Sequence, residues 1–262
     1  TRFANEYSYH HGYYDSIERE FRGFAKVEQT DSEIYEHYVK ETQANGSINS
    51  VEKALFQPPV TTKTWFHTGA FLNRDRILHQ LQEEYYPDEL VKKGEIVDAG
   101  VISTLQQYKL TEAPLPENLT ADEVIEYCRA LKGLPLRQEV YSDEGSDEIK
   151  KHPYTVTHHN YEIQLLQHKE EQKHAVFLSH EKETLMFNYE RNTFDPRIAH
   201  TINVEIDKYG NVLQSASIVY GRKKADASLP TDKDREKQTK QYVSYTLNRF
   251  TKEIDLPSAY RL

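Results

Sequence analysis

Histidine is the residue type in this sequence best suited to metal binding or proton transfer, and the chain contains 12 of them. Two adjacent pairs occur, His10-His11 and His158-His159. Neighbouring side chains on a strand point to opposite faces, so neither pair readily chelates one ion. The sequence contains neither HExxH nor a His-x-Glu followed by a cysteine pair. We therefore predict no metal-binding residue, and packed or solvated histidines instead.

Acidic residues could bind calcium or supply the acid and base of glycoside hydrolysis. The stretch from Ser142 to Glu148 is acidic, but it lacks the spacing and distal glutamate of a helix-loop-helix calcium site, so we predict a solvated loop. Glycosidases need two carboxyl groups at a defined separation, which a sequence does not give. This chemistry stays open as an alternative because several glutamates lie on expected strands: Glu18, Glu20, Glu28, Glu139 and Glu162.

Signatures of nucleophilic catalysis and of nucleotide binding do not occur in the sequence. There is no GxSxG elbow, Walker loop or GxGxxG motif. Cys128 falls on the apolar face of an expected helix, where a cysteine acts as a small hydrophobic residue rather than as a thiolate. We therefore predict no catalytic residue, no cofactor-binding residue and no cofactor, and the chain is not expected to be an enzyme.

Composition excludes several classes of protein. The net charge is -9, which argues against a nucleic-acid partner, because such proteins replace phosphate counterions with Lys and Arg. A single cysteine excludes an internal disulfide framework, and the absence of an apolar run near 18 residues argues against direct membrane insertion. The chain begins at Thr1 with no signal peptide, so we expect a processed product or a piece of a longer protein.

The elements that would position these residues are mostly strands. Residues 1–63 predict a β-rich start and a polar connection, with two strands between Tyr7 and Glu28, a bulge or close approach at Gly23, and a polar stretch from Ser32 to Val51. Residues 64–134 predict a helical insertion region. Its first helix is expected to be capped by Asn73 or Asp75, and its last by a capping box formed by Thr120 and Glu123.

Residues 135–222 predict antiparallel strands. Apolar positions change from even to odd along one of them, which favours a bulge near His158-His159-Asn160. A hairpin is expected at Asp207 to Asn211. The six expected strands are Leu136 to Tyr141, Tyr154 to Leu166, Ala175 to His180, Thr184 to Arg191, Ile198 to Ile206 and Val212 to Tyr220.

The last part of the sequence predicts a charged, mobile loop over residues 223–241 and a terminal strand over residues 242–262. The chain carries 19 tyrosines and 10 phenylalanines, and aromatic rings pack well across neighbouring strands. The fold class we predict is mainly β with helical insertions, in which antiparallel strands form one large curved sheet.

Several long strings resemble the middle/C-terminal region of TcdB-like proteins, the B component of insecticidal toxin complexes (Tc toxins). They follow one another in order and cover most of the chain. They are YSYHHGYYDSIEREFRGFAKVE from Tyr7, TWFHTGAF from Thr64, EEYY from Glu83, LKGLPLRQEVYSDEGS from Leu131, PYTVTHHNYEIQLLQ from Pro153, ETLMFNYERNTFDPRIAHTINVEIDKYGNVLQSASIVYGR from Glu183, and NRFTKEIDLPSAYRL at the end.

The resemblance implies a structural role for the whole chain, residues 1–262. In that family an SpvB-like part and a β-propeller precede strands that form, with the C component, a hollow shell of Rhs/YD-repeat type. The shell holds a toxic enzyme, which leaves through the propeller into the pore-forming A component. The implied partners are therefore the C component, the A component through the parent's propeller, and the encapsulated polypeptide. The implied location is a secreted, extracellular toxin complex made in the cytoplasm.

Two other functions remain open from the residues alone. One is the β-rich glycoside-hydrolysing domain already described, which rests on aromatic residues and carboxylates. The other is a carbohydrate-binding or receptor-binding surface made of exposed Tyr and His. Because a shell wall needs no convergent catalytic set, the shell segment is the leading hypothesis.

Overall fold

A single large antiparallel sheet organises the chain. The computed structural model describes residues 5–31, 58–110, 115–190, 192–251, 254–256 and 259–261. Nine strands lie side by side in the order β1 to β9, the same order in which they occur in the sequence. Their bounds are β1 (Asn5–Asp15), β2 (Glu20–Asp31), β3 (Val60–Phe66), β4 (Pro135–Ser142), β5 (Thr155–Gln167), β6 (Val176–Asn188), β7 (Arg197–Ile206), β8 (Val212–Val219) and β9 (Tyr242–Leu247).

Helices interrupt the sheet mainly between β3 and β4. There lie α1 (Arg74–Gln82), α2 (Asp88–Lys92), α3 (Ala99–Gln107) and α4 (Ala121–Ala130). Two short helices follow, α5 (Asp147–Lys150) between β4 and β5, and α6 (Asp232–Gln238) between β8 and β9. The predicted fold class, mainly β with helical insertions, is confirmed. Within the described residues, no helix is long and apolar enough to cross a membrane.

Local capping signals in the sequence had different outcomes. The capping box at the start of α4 is confirmed, because the Thr120 side chain accepts from the Glu123 amide and the Glu123 side chain accepts from the Thr120 amide. Asn73 does occupy the N-cap of α1, but its backbone is left-handed and its side chain makes no capping hydrogen bond. In α4 the sequence supplies both halves of the motif, Thr120 and Glu123, whereas a lone Asn73 does not establish a side-chain cap.

Three clusters of buried apolar residues pack helices against the sheet. Residues of α2 and α3 and their flanks, including Tyr86 and Val101, cover Val156 and Phe187 on β5 and β6. Tyr127, Cys128 and Leu131, in and just after α4, pack on Ile163. Leu81 of α1 joins Trp65 and Ala25 near the other end of the sheet. The core therefore lies between one helical layer and one face of the sheet.

Irregularities in the ladder appear where the sequence predicted them. The β1–β2 register shifts beside Gly23, whose φ is +94°, a conformation that L side chains rarely adopt. The β5–β6 register shifts at Asn160 and Tyr161, which confirms the predicted bulge. Strands β7 and β8 pair antiparallel around Asp207 to Asn211, which confirms the hairpin.

The prediction of two strands over Ala175 to His180 and Thr184 to Arg191 is wrong, because β6 runs unbroken through both. The charged residues between them resemble a turn in the sequence. In the fold they pair with neighbouring strands: Lys182 binds Glu162 at 2.5 Å and Glu181 binds His159 at 2.6 Å. Cross-strand partners, which are distant in sequence, allow these charges to remain within a strand.

The end of the chain also departs from expectation. The loop predicted over 223–241 contains α6, seven residues long, which Thr231 caps and the Arg235–Asp232 pair supports. In place of one terminal strand over 242–262 there are three, β9 and a separate antiparallel pair, β10 (Ile254–Leu256) and β11 (Ala259–Arg261). The polar stretch from Ser32 to Val51 lies outside the described residues.

Candidate functional site: two unlike faces of an open sheet

A buried polar network lies where α1 and α2 meet β4. The Glu139 carboxylate, fully buried, accepts hydrogen bonds from the Tyr86 amide at 2.8 Å, Arg137 Nε at 2.6 Å and the Tyr141 hydroxyl at 2.6 Å. Arg137 also donates to the Tyr86 carbonyl and to His158 Nε2, each at 2.6 Å. Both charges are therefore paired and hydrogen-bonded, which is the arrangement in which buried charges are tolerated.

A cleft of about 730 Å³ opens beside this network, between the helices and the sheet. Its volume is that of a small-molecule site. Burial holds the pKa of His67 down to about 4, with a further contribution from Arg74, so His67 is neutral near pH 7. Burial and the nearby Arg137 hold the pKa of His158 well below its usual range. Asp88 is the one carboxylate among the described residues that line the cleft.

The glutamates that the sequence left open for glycoside hydrolysis are not brought together at this cleft. Glu139 is enclosed in the network, and the others pair with basic residues elsewhere. Those pairs are Glu18 with Arg129 at 2.9 Å, Glu20 with Lys132 at 2.8 Å, Glu28 with Lys26 at 2.8 Å, and Glu162 with Lys182 at 2.5 Å. Across the described ranges the fold thus gives the cleft no pair of carboxylates with which to act as acid and base.

The acidic stretch after β4 uses its oxygens locally. Asp143 binds Lys150 at 2.7 Å, Glu144 accepts a hydrogen bond from the Tyr154 hydroxyl, and Ser146 caps α5. No group of three or more His, Cys, Asp or Glu side chains suited to a metal ion occurs in the part of the chain that the structure describes. Cys128 is buried in the α4 cluster, and burial raises the pKa of its thiol.

Helix α4 holds the loop between β5 and β6 through two glutamates. Glu123 Oε1 accepts from the Lys169 amide at 2.8 Å and from His168 Nδ1 at 3.0 Å. Glu126 accepts from the Ala175 amide through Oε2 and from His174 Nδ1 through Oε1, each at 2.6 Å. Sequence reasoning missed these contacts because each joins residues more than 40 positions apart, and the only local signal, the capping box, explains Glu123 without them.

Acidification is expected to loosen the β5–β6 loop through Glu123. Backbone hydrogen bonds, first from Thr120 and then from Lys169, lower the pKa of Glu123 to about 2. The folded carboxyl therefore binds fewer protons than the unfolded one, so its contribution to stability is present above pH about 4.5 and is lost as the pH falls towards about 2. The protection of the Lys169 amide from hydrogen exchange, taken relative to the intrinsic exchange rate at each pH, should fall over that interval.

The matched pair of variants for this experiment is Glu123→Gln and Asp122→Asn. Glu123→Gln should lower the protection of the Lys169 amide already at neutral pH and remove the further loss of protection in acid. Asp122 is exposed and pairs with the Lys169 side chain at 2.5 Å. Asp122→Asn should therefore leave the protection of the Lys169 amide at neutral pH and its loss in acid nearly unchanged. An unchanged acid response in Glu123→Gln would contradict the assignment.

The helix-covered face of the sheet carries charged residues on β2 to β4. Paired positions in one row across the sheet share a face, as do those of every second row. On this face Lys26, Glu28 and Lys63 accompany Arg137 and Glu139 on β2 to β4. Apolar residues follow on β5 to β7. The first row is Lys26, Trp65, Arg137, His158, Leu185, His200, Ile218 and Val243, and the next is Glu28, Lys63, Glu139, Val156, Phe187 and Ile198.

The opposite face, which we call the neutral face, has a different composition. One row is Val27, Thr64, Gln138, Thr157, Met186, Ala199, Val219 and Tyr242; the flanking rows are Gln29, Thr62, Val140, Thr155 and Asn188, and His159, Thr184, Thr201, Ser217 and Ser244. None of these residues is Asp, Glu, Lys or Arg. The row that contains Asn188 continues to a charged residue, Arg197, whose side chain pairs with Glu190. No residue of these three rows belongs to the buried clusters.

Both edges of the sheet lack a further strand among the described residues. At one edge, Tyr7, Tyr9, Phe21 and Phe24 are exposed and their rings contact one another, with Tyr9 and Phe24 5.1 Å apart. At the other edge, every residue of β9 is exposed, and this strand carries no charge and no proline. Soluble proteins usually protect edge strands with charge, proline or a covering element, so these edges are suited to pairing with more strands.

Two protein-family models together match most of the chain. Residues 126–262 match the model of the insecticide toxin TcdB middle/C-terminal region, and residues 2–69 match the model of the TcdB middle/N-terminal region. A search of curated proteins found no match.

Solved structures with the same fold come from Tc toxins. The chain is similar to the crystal structure of TcdB2-TccC3 (25% identity, TM-score 0.69), to that of TcdB2-TccC3-Cdc42 (26%, 0.71) and to the Photorhabdus luminescens Tc holotoxin pore (25%, 0.70). Each alignment covers 99% of this chain. The chain spans only 11 to 12% of the length of those chains.

Proposed function

Since the chain belongs to the family of the insecticide toxin TcdB middle/C-terminal region, we propose that it is a structural segment of the shell of a Tc-type B component. In this function it forms part of a wall that, together with a C component, encloses a toxic polypeptide. The enclosed polypeptide is delivered through a pore-forming A component. The particle acts outside the producing cell.

The observation that carries this proposal is the open sheet, with one face covered and both edges unpaired in the described residues. A domain that stands alone normally closes, covers or charges its edges. A wall segment instead needs free edges at which the sheet continues, and a face that does not belong to a compact core. The uncharged β9 and the exposed aromatic rings beside β1 meet the first need, and the neutral face meets the second.

The solved structures to which this chain is similar support the partners that we propose. The similar structures contain TcdB2 together with TccC3, and one of them is a holotoxin pore, which supports a C-type partner and an A-type pore for this protein as well. We propose a structural rather than catalytic role, because the described cleft holds one carboxylate and the glutamates suited to hydrolysis are paired elsewhere. This placement of the glutamates does not favour the glycoside-hydrolysing alternative.

Electron microscopy tests the proposal directly. The full-length protein that carries this segment, purified with its C-type partner, is expected to form closed hollow particles, and a map should show the nine-stranded sheet as part of the wall. The protein purified without the partner serves as the control and should not close. Particles without a lumen, or a map in which this sheet lies outside the wall, would rule the function out.

A further inference from the structure

The two faces of the sheet differ in what they can offer to a polypeptide. On β2 to β4 the covered face carries Lys26, Glu28, Lys63, Arg137 and Glu139, whereas the three rows of the neutral face carry only Val, Thr and Gln on these strands. The rows of the neutral face continue across β5 to β9 with Thr, Ser, Ala, Asn, Met, Val, Tyr and His. These rows carry no Asp, Glu, Lys or Arg, although Glu162 and Lys182 lie beside them on the same side of the sheet and pair with each other at 2.5 Å.

We propose that the neutral face lines the lumen of the shell and is the surface that contacts the enclosed, unfolded polypeptide. This inference rests on the proposed function and adds the orientation of the wall. An unfolded chain presents charges of both signs as well as apolar side chains. The three rows offer that chain no Asp, Glu, Lys or Arg with which to form a salt bridge, and the charges beside them on the same side, Glu162 and Lys182, already pair with each other at 2.5 Å.

The neutral face also offers little hydrophobic adhesion. Hydrophobic attraction grows with the apolar area removed from water, and the short side chains of Thr and Ser are the commonest in these rows. Their hydroxyl groups exchange hydrogen bonds with water for equivalent ones with the cargo, at little net gain. Such a surface confines a polypeptide without binding it, so each segment of the cargo can leave again.

The helical layer is suited to the outside of the wall. Its surface carries exposed ion pairs, such as Lys92 with Glu83 at 2.8 Å and Lys93 with Glu89 at 2.7 Å. Mixed exposed charge keeps a protein surface soluble, but the same charges would hold an oppositely charged cargo. A protein partner seated on the neutral face is less favoured, because the centre of a stable interface is usually apolar and aromatic.

Cysteine labelling of the assembled, cargo-loaded particle tests the orientation. The matched variants are Ser217→Cys on the neutral face and Ser103→Cys on α3, because both serines are exposed in this chain. The reagent is a maleimide attached to a polyethylene glycol too large to enter a closed shell. Ser103→Cys should be labelled rapidly, and Ser217→Cys about tenfold more slowly or less, until denaturant opens the particle.

A photo-reactive residue at each of the same two positions identifies what the surface contacts. At Ser217 it should attach to the enclosed polypeptide, and at Ser103 it should not. Attachment at Ser217 to another part of the shell instead of the cargo would overturn the inference.

Labelling separates this inference from the function on which it rests. If Ser217→Cys is labelled rapidly and Ser103→Cys is protected, the wall is present but its orientation is the reverse of the one we propose. If both are labelled rapidly in the assembled particle, neither face is enclosed, and the shell function fails as well.

Discussion

Replacement of Glu139 by glutamine is expected to lower the stability of the β4–β5 region by about 3 kcal/mol, the lower end of the range for removing one partner of a buried ion pair. The variant keeps the shape of the side chain but leaves the Arg137 guanidinium, also buried, without a counter-charge. The Tyr86 amide and the Tyr141 hydroxyl would have to share a weaker, neutral partner. Hydrogen exchange at the amides of β4 and β5 measures the change in opening free energy.

Glu162→Gln is the matched control for this prediction. Glu162 also pairs with a basic residue, Lys182, but its side chain is 45% exposed. Exposed pairs contribute about 0.2–1 kcal/mol, so this variant should differ little from the parent protein. Equal effects of the two substitutions would show that Glu139 is not the centre of a buried network.

Replacement of Phe187 by alanine should destabilise the sheet by about 3–5 kcal/mol, because it leaves a cavity in a packed core. Phe187 is fully buried at the centre of the cluster that joins α2 and α3 to the sheet, and its ring lies 6.0 Å from that of His158. The expected readout is faster exchange in β6 and earlier release of α3 by protease. Because α3 is held mainly through this cluster, its amides should lose protection together with those of β6.

Met186→Ala provides the control on the adjacent residue. Met186 precedes Phe187 on the same strand, lies on the neutral face and is 37% exposed. Its truncation should cost about 0.5 kcal/mol, as is usual for surface positions. A cost for Met186→Ala as large as that for Phe187→Ala would mean that the neutral face is packed against another layer.

Local patterns in the sequence predicted those parts of the fold whose causes are local. The capping box at Thr120, the bulge that reverses the apolar face after His159, and the turn after Asp207 each depend on residues within a few positions. The length of β6 could not be predicted in the same way. Glu181 and Lys182 remain within that strand because His159 and Glu162 lie beside them on another strand.

The candidate site likewise was predictable from the sequence only where its causes are local. The sequence supplied the family resemblance and the glutamates that could do chemistry, but not the partner of each glutamate. Glu123 illustrates the gap, because its capping role is visible in the sequence while its hold on Lys169 depends on tertiary packing. The neutral face was hidden for a related reason: its rows join residues from eight strands, and only the register brings them together.

The strand order of the sheet has a consequence for how the protein is made. Every strand from β2 to β9 pairs with the strand that precedes it in the sheet, so the described ladder contains no crossover. Contacts between sequence neighbours have a low entropic cost of loop closure and form rapidly. Each new strand can therefore add to the finished edge as it leaves the ribosome, and the sheet can grow by successive additions rather than in one concerted step.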